Sequence, residues 1–177
     1  MTFLRGAVLR LLPLLLAGCA AAAAPEPGVI VDDFESGRAR WRDAGSGAKR
    51  TEVDLRAGAA RITFGGGATG WTDLTWPVDR WPEGATAIAV RVRAPRACRV
   101  FLKVNLGPEH DDLEMWGRTL ELTAEWREHV VPVAQLTHYI WGHRRSAGPD
   151  ASRIVGIGFA ESDFPVTFEV DFIAIRR

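Results

Sequence analysis

Three of the seven tryptophans fall at a spacing of five residues in GWTDLTWPVDRWP, Gly70 to Pro82, as Trp71, Trp76 and Trp81. An indole offers a flat apolar plane to the C–H face of a sugar ring, and it is equally a large core side chain. In an extended chain alternate residues face opposite ways, which separates the two uses. Leu74, Trp76 and Val78 then share a face with the composition of a core, while Trp71, Asp73 and Thr75 share the other. Trp71 becomes the outward indole, and Asp73 stands beside it where a carboxylate can hold a hydroxyl. Trp81, just before Pro82, is expected to plug an edge. Plain packing of all three indoles is the alternative.

A second set follows the same rule. In RVFLKVNL, Val100, Leu102, Val104 and Leu106 make a core side, leaving Phe101, Lys103 and Asn105 opposite. One aromatic with two hydrogen-bonding groups is what a sugar site needs. Trp116, with Glu114 and Arg118 on its own face, is expected on a neighbouring strand, where it would complete a cleft floor with that trio. The alternative is an aromatic covering a sheet face. Tyr139, Trp141, His143, Arg144 and Arg145 could wall the cleft, or form a surface cation–π cluster or a protein contact.

Other chemistries are less well provided for. Jelly-roll glycosidases need two carboxylates about 5 to 10 Å apart. Glu169 and Asp171 share a strand face in EVDFIA, but Ala174 stands where a third acid would follow. His110 to Glu114 supplies more acids in a turn after Pro108. No Gly-x-Ser-x-Gly, His-Glu-x-x-His or phosphate loop is present, so no catalytic residue is assigned. Acidic and basic residues number 22 each, and the basic ones are scattered, which gives no face for nucleic acid. No Cys-His or multi-Cys spacing suggests zinc.

The elements that must hold these residues are strands. From Val29 onward, short β-branched runs alternate with Gly, Pro and Asp. The runs are Val29–Phe34, Thr51–Leu55, Ala59–Phe64, Trp71–Val78, Ala87–Ala94, Arg99–Leu106, Met115–Leu122, Arg127–Val133, Ile154–Ala160 and Thr167–Ile175. No long helical period competes, so the expected class is all-β, an antiparallel two-sheet sandwich over residues 29–177. Cys98 reads as a small buried hydrophobe.

Residues 1–18 have a different character. Arg5 and Arg10 precede the apolar run Leu11 to Leu16, the layout of an export signal. Leu16-Ala17-Gly18-Cys19 resembles the bacterial lipobox, which implies cleavage before Cys19 and lipidation of its thiol and new amine. Residues 19–28 then form a lipidated cysteine and a small-residue tether. Ala20 after the cysteine leans the expected location toward the outer membrane, facing the periplasm or the surface.

VIVDDFESGRARW, TAEWREHVVPVAQL and IVGIGFAESDFPVTFEVDFIAIRR, in that order and at these distances, resemble the galactose-binding-like jelly rolls. The chain is most similar to family 11 carbohydrate-binding modules and the complex I intermediate-associated protein group. The matching residues are Asp33, Phe34 and Glu35; Trp126 with Val131 and Pro132; and Asp171. The resemblance implies a glycan-binding concave face, burial of Trp41 and Trp126, and in some members a structural calcium, for which Asp33, Glu35 and Asp171 are carried over. His129 departs from the pattern, which usually has an apolar residue there. The sequence thus leads to a lipid-anchored envelope protein that binds a polysaccharide or oligosaccharide non-catalytically. An envelope scaffold with a protein partner is the alternative, and a glycoside hydrolase-like enzyme comes third.

Overall fold

The computed structural model describes residues 28–36, 40–56, 58–107, 114–139, 146–161 and 163–177. Strands are β1 Val29–Asp32, β2 Arg42–Arg56, β3 Ala59–Pro77, β4 Ala87–Arg93, β5 Cys98–Leu106, β6 Glu114–Leu122, β7 Arg127–Pro132, β8 Thr137–His138, β9 Ile154–Glu161 and β10 Val166–Arg176. All pairings are antiparallel, in the order β7-β4-β10-β3-β9-β5-β6-β8, with β1 added on β10 and β2 on β3. The expected all-β antiparallel sandwich is what the chain forms.

One strand serves both layers. The first part of β3, Ala60 to Phe64, pairs with β10, and its last part, Asp73 to Pro77, pairs with β9. Thus β7, β4, β10 and early β3 make one sheet, and late β3, β9, β5, β6 and β8 make the other. The sequence reading divides β3 into two strands at Gly65–Gly70, because glycine clusters usually mark turns. Here the glycines keep the strand running instead. Gly66 and Gly70 adopt φ of 91° and 101°, which a residue with a Cβ rarely does, and the chain bends between layers at a register shift in its ladder with β2, which pairs with it on both sides of the bend.

Between the layers, Trp76 is fully buried, with ring contacts to Phe34, Trp41 and Phe159 at 5.8, 6.1 and 6.1 Å. Its Nε1 donates to Asp32 Oδ2 at 2.8 Å, and Asp32 Oδ1 accepts from Phe34 N at 2.9 Å. A buried indole N–H without such an acceptor would cost stability, which is why an acid is tolerated in this core. In β10 the inward residues run Val166, Phe168, Val170 and then Ile173, Ile175. The parity flips at a register shift between Val170 and Phe172, which leaves Glu169 and Asp171 facing outward.

Candidate functional site

The outer face of the second sheet carries an uneven row of side chains. On β3 these are Trp71, Asp73 and Thr75, and on β5 they are Phe101, Lys103 and Asn105. Between them β9 presents only Gly156, Gly158 and Ala160, paired across to Thr75 and Lys103 through Gly158, and to Asp73 and Phe101 through Ala160. A strand that contributes nothing larger than a methyl between two with full side chains makes a trough. The glycine is required: a Cβ on Gly158 would strike the Leu74 carbonyl oxygen and stand 2.8 Å from Thr75 Cα. On the far side Gly117 of β6 faces Lys103, and the Phe101 ring leans over it. That ring packs on Tyr139 at 4.7 Å between centroids, the planes 34° apart.

Polar groups bridge the trough floor. Lys103 Nζ lies 3.0 Å from Asp73 Oδ2 and 3.3 Å from Asn105 Oδ1, and Asn105 Nδ2 is 3.4 Å from Thr75 Oγ1. The lysine is only 2% exposed, the aspartate side chain 14%. Burial pulls the Lys103 pKa down, and the charge and hydrogen bond of Asp73 offset this in part. Trp71 stands at the rim, 49% exposed. The result is an apolar plane beside a line of donors and acceptors already held in register, the combination that recognises a polyol with one C–H face.

Trp71, Asp73, Phe101, Lys103, Asn105 and Tyr139 are therefore brought together, and Trp141 lies outside the described residues. Trp116 and Glu114 are corrections. Asn105 pairs with Met115 and Lys103 with Gly117, so Trp116 stands opposite Val104 and shares its inward face. A register shift of one residue exchanges the two faces of a strand. Trp116 is buried in the core, edge-on to His138 at 5.4 Å. Glu114 is wholly buried too: its Oε1 accepts from Trp116 Nε1 at 3.0 Å, Ser146 N at 3.0 Å and Ser146 Oγ at 2.6 Å, with Arg153 Nη1 3.5 Å from Oε2. This carboxylate ties β6 to the segment beginning at Ser146.

Asp33 accepts from Glu35 N within a turn, whereas Asp171 pairs with Arg91 at 2.8 Å. Among the described residues no three His, Cys, Asp or Glu side chains gather as a metal-ligand set. The carried-over calcium trio does not fit a common ion. Trp126, expected in the core, instead lies half-buried on the outer face of the first sheet, under the guanidiniums of Arg93 and Arg91. Trp41 does pack partly buried against the core, and Trp81 donates to the Ala85 carbonyl at 3.0 Å. Cys98 is half-buried, which raises its thiol pKa. Cys19, the signal, the tether and His110 to Leu113 lie outside the described residues.

Thr75, Gly117 and the Gly156-x-Gly158-x-Ala160 run were missing from the sequence-derived site. The signal was there: glycine at alternate strand positions marks a close approach.

No family model matches the chain, and no curated protein matches it. Solved structures do. The family 11 carbohydrate-binding module from Clostridium thermocellum, in complex with a β-1,3-1,4-mixed-linked tetrasaccharide, superposes at TM-score 0.73 with 16% identity, over 86% of this chain and 97% of that one. The family 30 carbohydrate-binding module of a Clostridium thermocellum cellulosomal cellulase gives 0.57 at 12% identity, over 77% and 90%. An exo-β-agarase gives 0.57 at 10% identity, over 81% of this chain and 24% of that one. At such identities the likeness establishes the fold, a β-sandwich jelly roll of the kind seen in these carbohydrate-binding modules.

Proposed function

We propose that the trough over β9 binds an extended, uncharged glycan without cleaving it, in a protein anchored to the bacterial envelope through lipid on Cys19. The observation that carries the glycan reading is the exposed Trp71 standing beside Asp73 at a floor where β9 adds only glycines and one methyl, with Phe101 and Tyr139 on the opposite wall. A sugar ring stacks on Trp71 while Asp73 Oδ1 accepts from its rim hydroxyls and the Thr75 hydroxyl donates to or accepts from them. The trough's internal ion pair leaves no uncompensated charge to select an anionic polymer. The fold supports the reading, since a similar carbohydrate-binding module was solved with a β-1,3-1,4-mixed-linked tetrasaccharide.

That tetrasaccharide is the first probe, followed by a panel of neutral polysaccharides. Tryptophan emission of the full chain is expected to change saturably with at least one, and Trp71→Ala to weaken binding about tenfold or more, the loss of one aromatic stacking contact and its buried area. A panel with no saturable response, for protein that remains folded, returns the trough to the scaffold reading.

A further inference from the structure

We infer a second ligand site on the opposite layer, a pocket that takes a single neutral pyranose ring. It is independent of the trough. The outer face of the first sheet carries a half-open cavity of about 300 Å³ lined by Arg56, Arg61, Arg93, Trp126, Glu169 and Asp171. At about 30 Å³ per water it holds on the order of ten waters, room for one hexose ring and not for a folded oligomer.

The chemistry follows from how these groups already bind one another. Glu169 stands directly across from Arg61 on β3 and from Arg93 on β4. Each guanidinium presents two nitrogens to it: Arg61 Nε and Nη2 both lie 3.2 Å from Oε1, while Arg93 Nε and Nη2 lie 2.7 and 2.6 Å from Oε2. Forks of this kind fix orientation as well as charge. A guanidinium carries five N–H donors, so Arg61 and Arg93 keep some for a ligand at the cavity they line. Arg93 also sits 4.6 Å from the Trp126 ring centroid and Arg91 5.6 Å, which holds the indole beside the cavity.

Charge decides the class of ligand. The guanidiniums of Arg56, Arg61, Arg91 and Arg93 are met by Asp54, Glu169 and Asp171. The Glu35 carboxylate is a fourth, its Oε1 2.7 Å from where a Cβ on Gly58 of the lining would stand. With each guanidinium already compensated by a carboxylate of the wall, an anion entering here gains little net attraction. Hydroxyl groups suit such a wall, because they donate to Glu169 and Asp171 and accept from arginine while the C–H face of the ring meets the part of Trp126 that the guanidiniums leave uncovered.

The test follows the Trp126 indole N–H by NMR in the full chain, identified by its absence in Trp126→Phe. The probes are methyl glucoside, methyl galactoside and methyl mannoside, with glucuronate and sulfate as anions. At least one neutral glycoside is expected to shift the resonance saturably, with the response unchanged in Trp71→Ala and weakened roughly tenfold in Arg61→Ala. Arg61→Gln serves if the alanine variant melts early. The proposal is overturned by response to the anions alone, by no response, by loss in Trp71→Ala, or by full affinity in both Arg61 variants.

Discussion

Lys103 carries its charge where water hardly reaches it, and Asp73 is the carboxylate at salt-bridge distance. Removing one partner of such a pair leaves the other unpaired in a poor solvent for ions, which costs more than the pair contributes. Asp73→Asn is therefore expected to lower stability by about 3 kcal/mol, read from the denaturant midpoint. Adding Lys103→Met should restore much of the loss, since it removes the stranded ammonium and keeps its stem packed. A single variant within about 0.5 kcal/mol of the parent would show that the pair is not a stability element. Parity within β3 was enough to set Trp71 and Asp73 on one face, and parity within β5 to set Lys103 with Phe101 and Asn105 away from the core. It could not place Trp116, because the facing of β6 relative to β5 depends on which residues pair, and that is a property of two strands together.

At the scale of the element, β9 is defined by what it lacks. Gly158 approaches β3 so closely that a methyl group would meet backbone atoms, which cannot rotate away. Gly156 would meet Thr75 Cγ2, at the end of a rotatable side chain. Gly158→Ala is expected to cost about 2 to 3 kcal/mol in chemical denaturation, with Gly156→Ala costing clearly less. Equal costs would mean that β9 is free to shift outward. The glycines of β3 taught the opposite lesson from those of β9. Gly65 to Gly70 read as a break in the sequence because their composition matches a turn, yet positive φ at Gly66 and Gly70 lets one strand bend through both layers. Trp126 was misplaced for a related reason: a motif position carried over from a family says nothing about arginines on the neighbouring strand, and Arg91 and Arg93 hold this indole at the surface.

For the molecule as a whole, the sandwich was legible because alternation was clean in β4 and β5, and because turn residues limited most strands to short lengths. The membrane link stands on the N-terminal sequence. In a bacterial host the full chain is expected to incorporate labelled palmitate, to mature to a product beginning at Cys19, and to lose both in Cys19→Ser. A soluble product cut elsewhere would remove the anchor from the proposed function. The pairing of β1 with β10 sets an order on assembly. Val29 and Ile30 lie against Ile175 and Ala174, so the earliest strand to leave the ribosome waits for the last. Until that final strand arrives, β4 and early β3 lack the partner that lies between them, and no complete first sheet can form. The sandwich thus stays unfinished until β10 has been made, and through that interval the earlier strands carry open edges that another chain could pair with.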